Sequence, residues 1–165
     1  MPAALDRLTN RIKALAPDVV VMTGDVLDVP DEVIAGETPD SRPLQAWIDD
    51  VVKDFGLVKE WFDRTNVAYV VVPGNHDHEG AFTRVFGDTS GARDLAGFRF
   101  FCFWDELASD SQPQRSGIRQ NLFRSAMTAA KHDCPQIHVQ HYMIDPPTLS
   151  GGKRYEYKDA AAMKS

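Results

Sequence analysis

Two rhythms of apolar residues alternate along the chain. Leu5, Leu8, Ile12 and Leu15 recur every three or four residues, the period of one helix face, and Pro17 closes that segment. "DVVVMTGD" follows, from Asp18 to Asp25: an unbroken β-branched run ending in Thr-Gly-Asp, the pattern of a strand buried on both faces. Val26 to Pro43 is acidic and rich in Pro and Gly, which predicts a loop. Leu44, Trp47, Ile48, Val51, Val52, Phe55, Val58, Trp61 and Phe62 then share one broad face, predicting a long amphipathic helix with Gly56 as a point of weakness. "NVAYVVVPGN" predicts a second buried strand.

Downstream, a short helix is expected around Phe82–Phe86 and a third strand in "GFRFFCFWD" from Gly97. Ser109 to Gly117 reads as loop, Ile118 to Lys131 as helix, and "QIHVQHYMI" from Gln136 as a fourth strand. Residues 145–165 carry no periodicity and are expected to be irregular. Helices and strands in this alternation imply one α/β domain with parallel strands and covering helices. In such sheets, binding groups gather just past the carboxyl ends of strands. Three of the four predicted strands end in polar clusters, at Asp25, at Asn75-His76-Asp77 and at His141.

Composition narrows the function classes. The 165 residues carry a net charge of −6, against a protein relying on general affinity for nucleic acid, and the acidic Val26–Pro43 loop disfavours a polyanionic substrate. No apolar run approaches the ~18 residues of a membrane span. "MPAALDRLTN" lacks the basic and apolar regions of a signal peptide, so a cytoplasmic, soluble protein is expected. Cys102 and Cys134 form no zinc pattern and are expected to stay reduced.

The strand-end residues suggest a metal. Asp25, Asn75 and His141 together offer a carboxylate, an amide oxygen and an imidazole, a mixed set suited to Mn, Fe or Zn. Glycine before each of the first two lets the backbone turn sharply and aim the next side chain. His76 is placed to handle a proton, with Asp77 beside it as an orienting carboxylate. His78 reads as a loop residue, with contact to substrate as the alternative. His138 lies three residues before His141 on the strand and should face the other side of the sheet. His132 reads as a charge at a helix C-terminus. Trp104-Asp105 is placed to line the crevice, and Arg84, Arg93 and Arg115 read as surface arginines, each a weaker candidate for phosphate. A Gly-Asp after a strand, or one strand histidine, is ordinary structure when met singly; "GNHD" in fixed order after a pure valine run is not.

"GDVLD" (Gly24–Asp28), "GNHD" (Gly74–Asp77) and the later "QHYMI" resemble the second, third and fourth motifs of the calcineurin-like metallophosphoesterases. The resemblance runs from about Leu5 to Tyr142 and implies a layered α/β/β/α sandwich. It implies that Asp25 bridges two metal ions, that Asn75 and His141 bind the second, and that His76, held by Asp77, faces the phosphate. Asp28 would support the motif without binding metal. Two ions about 3.5–4 Å apart lower the pKa of water and clamp a phosphoryl group for in-line attack. The reaction implied is hydrolysis of a small phosphate mono- or diester. A nuclease of the same fold is the reading the acidic balance disfavours.

The family's first motif, Asp-x-His, is not found before Gly24, and its fifth, Gly-His-x-His, is not found after His141. The expectation is therefore a single partial domain over 1–165, incomplete at both ends, holding at most one metal tightly. The competing expectation is a truncated or degenerate module of the same fold that acts by binding only.

Overall fold

The computed structural model describes residues 2–128, 134–144, 157–158 and 160–163. It is a mixed α/β structure in which helices cover several small sheets. Helix α1 (Pro2–Leu15) stops at Ala16, which adopts a left-handed backbone (φ 45°) just before Pro17. Its inward residues Leu5 and Ile12 pack on Val58, Trp61 and Phe62, and Thr9 Oγ1 accepts a hydrogen bond from Trp61 Nε1 at 2.8 Å.

Those partners lie on helix α3 (Leu44–Thr65), which buries Val51, Phe55, Val58, Trp61 and Phe62 along one stripe. The helix runs unbroken through Gly56. A helix interior bears an isolated glycine at a cost of about 1 kcal/mol, and the packed stripe on either side supplies more than that. The Val26–Pro43 loop contains one helical turn, α2 (Asp31–Ile34), whose Val33 is wholly buried.

Strands β1 (Val19–Met22) and β2 (Ala68–Val71) pair in parallel with Val19 opposite Ala68, as the two valine runs predict. β1 is less enclosed than expected: Val21 is 41% exposed. Among the described residues β1 pairs only with β2, so one of its edges lacks the neighbour that a doubly buried strand would have.

Helix α4 (Glu79–Phe86) brings Phe82 and Phe86 against Phe55. Next come β3 (Gly91–Leu95) and β4 (Phe98–Cys102), an antiparallel hairpin. Ala96 and Gly97 both have positive φ (49° and 79°), the two-residue turn whose twist matches that of hairpin strands. This hairpin adds an antiparallel pair, through a strand that was not expected, to the parallel pairing of the strands that were. β3 was not predicted because "GARDL" is mostly exposed and lacks any apolar alternation.

β4 and the two residues after it send Phe100, Cys102 and Trp104 into the main core with α3 and α4, and Phe101 and Phe103 to the other face, under Phe123 and Ala126 of helix α5 (Gly117–Thr128). Between β4 and α5 lies a second small hairpin, β5 (Glu106–Leu107) with β6 (Pro113–Gln114), the latter within the stretch read as loop. β7 (Gln136–Val139) pairs in parallel with β4. In the segment read as irregular, Ala160–Met163 form a helical turn, α6. His132 and residues 145–156, 159, 164 and 165 lie outside the described residues.

Candidate metal centre

The ends of β1 and β2 meet backbone to backbone. Gly24 has φ +95°, and a methyl group there would fall 2.6 Å from His141 Nδ1 and 2.7 Å from Gly74 Cα. A methyl on Gly74 would overlap the Asp25 carboxylate and lie 2.9 Å from His141 Cε1. Neither position has room for a side chain, so the two strand ends approach as only glycine permits. Asp25 follows with φ 49°, an unusual backbone for a non-glycine residue, and this turn sends its carboxylate toward the second strand's loop. There Asp25 Oδ1 accepts the backbone N–H of His76 at 3.1 Å.

Asp25, Asn75 and His141 converge from three strand ends. His141 Nε2 is 3.0 Å from Asn75 Oδ1 and 3.5 Å from Asp25 Oδ1. The other ring nitrogen, Nδ1, lies 2.7 Å from the Thr23 carbonyl oxygen. A carbonyl can only accept, so Nδ1 carries the proton and donates, and in the neutral imidazole the Nε2 lone pair then faces the two side-chain oxygens. An imidazole whose far N–H is held by a carbonyl is the usual state of a metal-binding histidine. The donor set therefore fits a divalent cation: one nitrogen and two oxygens, one of them anionic. Among the described residues no group of three or more His, Cys, Asp or Glu side chains is arranged to hold a metal ion. The convergent set has two such residues and reaches three donors only through the Asn75 amide.

The roles of the two neighbouring carboxylates differ from those expected. The side chain beside the His76 ring is that of Asp28, with Oδ1 3.0 Å from Nδ1. Both groups are open to solvent, Asp28 almost completely. Asp77, expected to orient His76, instead turns inward and is 4% exposed. Its carboxylate accepts three backbone N–H bonds, from Gly74 (2.8 Å), Leu27 (2.9 Å) and Val26 (3.2 Å). The reason is reach: three residues past Gly74, a short side chain folds back onto its own loop and spans to the neighbouring one. Burial pushes the Asp77 carboxyl above its ordinary range, the three N–H donors pull it partly back, and the charge of Asp25 adds to the rise. A further backbone bond, from Val29 N–H to the His76 carbonyl (3.1 Å), ties the same two loops.

His78 caps α4: its Nδ1 accepts the Ala81 N–H at 3.1 Å. It also lines a cleft of about 390 Å³, together with Asn75, Glu79, Asp105, Arg119 and Tyr142. A second hollow of about 380 Å³ lies between Asp25, Asp28 and His76. Asp105 is thus on the crevice wall. Arg115, read as a surface residue, is buried at 3% exposure and paired with Asp105. The basic residue on the cleft wall is Arg119, which sequence reasoning passed over. Its Nη2 donates to both Glu79 oxygens, at 2.8 and 2.7 Å, and its Nη1 to the Asp105 carbonyl at 3.1 Å. The available signal was its place in the first turn of a helix that follows a polar strand end. His138 packs edge-on against Phe101 and Phe103, on the α5 side of the sheet and away from His141.

The sequence model of the calcineurin-like phosphoesterases matches residues 2–163. The chain belongs to that family of metal-dependent phosphoesterases, whose members generally bind divalent metals. A solved crystal structure superposes with a TM-score of 0.61 at 14% identity, covering 95% of this chain and 72% of that one. The likeness is one of fold. No protein of curated function matches the chain. No helix among the described residues is long and apolar enough to cross a membrane.

Proposed function

We propose that the protein hydrolyses a small phosphate mono- or diester at a metal centre held by Asp25, Asn75 and His141. The observation that carries this reading is the convergence of His141 Nε2 on Asn75 Oδ1 and Asp25 Oδ1, with Nδ1 already engaged by Thr23. The mixed donors suit Mn, Fe or Zn. A bound divalent cation supplies positive charge for a phosphoryl oxygen and lowers the pKa of water. His76 stands over the hollow beside Asp25 with Nδ1 against Asp28, so its Nε2 is free to protonate the leaving oxygen. Asp77 holds the two loops in register, and His78 borders the cleft where the remainder of the substrate would lie.

The test is metal binding and turnover on the same preparation. Calorimetry with Mn or Zn should find about one tight site, lost in His141→Ala. In an active form of the protein, His76→Ala should lower turnover of an aryl phosphate by about 100-fold or more; unchanged turnover would remove His76 from proton transfer.

A second reading is favoured by one observation. Among the described residues no group of three or more His, Cys, Asp or Glu side chains is arranged to hold a metal ion, and the converging set provides for a second ion only the shared Asp25 carboxylate. On that reading the fold binds one metal and does not turn over. Tight binding of one ion without hydrolysis would support it, whereas two bound ions with rapid hydrolysis would reject it.

A further inference from the structure

The turn that carries His141 is bonded to a buried charge cluster. Arg115, from the link between β6 and α5, donates from Nε to Asp105 Oδ1 at 2.8 Å. Its Nη2 donates to Gln140 Oε1 at 2.8 Å and to the Tyr157 hydroxyl at 3.0 Å. The guanidinium sits over the rings of Phe103, Phe123 and Tyr157, at 4.5, 4.8 and 5.0 Å. Gln140 passes the link onward: its Nε2 donates to the Tyr142 carbonyl at 2.6 Å. The side chain of residue 140 therefore bridges to the backbone of residue 142, and His141 is the residue enclosed.

The orientation of the Gln140 amide follows from its partners. Arg115 can only donate, so it takes Oε1 and turns the NH₂ end toward the Tyr142 carbonyl, which can only accept. Glutamate at 140 would keep the link to Arg115 but present an acceptor to that carbonyl. Methionine would fill the volume and make neither bond. The requirement is thus for glutamine specifically.

Resting on the reading of His141 as a metal ligand, we propose that Gln140, anchored by Arg115, is the positioning residue of His141. It holds the turn so that Nδ1 meets Thr23 and Nε2 faces Asn75 and Asp25. Partners behind a ligand of this kind typically contribute about 10–100-fold in metal affinity.

The test compares the unsubstituted chain with Gln140→Met, Gln140→Glu and His141→Ala. Folding is followed by circular dichroism, Mn and Zn affinity by calorimetry, and the His141 tautomer by ring-nitrogen NMR shifts in the metal-free chain. The unsubstituted chain should show one tautomer, protonated at Nδ1. Gln140→Met should stay folded, show mixed tautomers and bind metal about 10–100-fold more weakly. If Gln140→Met does not fold, Gln140→Glu, which keeps its Arg115 partner, should show the same two losses. The inference is overturned if the folded variant keeps one tautomer and an affinity within about twofold of the original, well inside the range expected of such partners. If His141→Ala binds metal as well as the unsubstituted chain, the ligand reading fails instead. The tautomer result then decides the positioning role alone.

Discussion

Asp25 and Asn75 leave β1 and β2 on loops that touch at Gly24 and Gly74, where backbone meets backbone with no room for a methyl group. His141 leaves β7 on a turn tied through Gln140 to Arg115, a side chain sunk among aromatic rings. Both regions solve one problem, aiming a donor past the end of a strand. The first solves it with main chain, down to the three N–H groups that grip Asp77. The second solves it with side chains and a buried charge. The first should therefore fail when atoms are added, and the second when partners are removed.

The largest effect is expected on the side-chain half. Arg115→Met leaves the Asp105 carboxylate buried without its cation, and breaking such a pair costs about 3–5 kcal/mol. Urea unfolding measures it, and adding Asp105→Leu should recover most of the loss. A single-variant cost below about 1 kcal/mol, the range of exposed pairs, would mean the pair does not hold this half together.

On the main-chain half, Gly74→Ala adds one carbon and should destabilise by about 1–3 kcal/mol while weakening metal binding. Gly56→Ala is the contrast, since open space surrounds that position in α3. It should stabilise by about 0.5–1 kcal/mol, as alanine replaces glycine in a helix. If both glycines respond alike, the tight approach at the strand ends is not what sets the cost.

The smallest effect concerns how dry the β4 side is. Burial raises the Cys102 thiol to about 11, whereas Cys134 is partly exposed. At pH 8 a thiol reagent should label Cys134 promptly and Cys102 only on unfolding. An unfolded chain gives up the Cys102 proton near the ordinary thiol pKa and the folded chain only near 11. Stability should accordingly fall as pH rises through that interval, and fall less in Cys102→Ala. Equal labelling of both thiols at pH 8 would show that water reaches the strand.

The order of elements and the three converging donors were legible because each depends on local pattern: valine runs ending in Gly-Asp, "GNHD" and a strand-end histidine. What was not legible depends on direction in space. Asp77 adjoins His76 in sequence and Asp28 lies far upstream, so adjacency alone points to Asp77 as the ring's partner. Only the fold shows that Asp77 points back at Val26 and Leu27 while Asp28 meets the ring. Arg115 looked like surface because arginine usually is, and its burial needs Asp105 from 10 residues away and Tyr157 from 42. The β3 strand has no apolar signal, and its presence follows from the Ala96-Gly97 turn and its partner β4.

The contact between His141 and Thr23 spans 118 residues of sequence, that between His141 and Asn75 spans 66, and Asp77 reaches Val26 across 51. Contacts so distant along the chain pay a large loop-closure entropy, and topologies rich in them fold slowly. Separations of this size predict that the centre closes late in folding, after local elements such as α3 have formed. A ligand that recognises only the finished centre would draw the chain toward its native state by mass action. Its binding would serve as a clock for the completion of the fold.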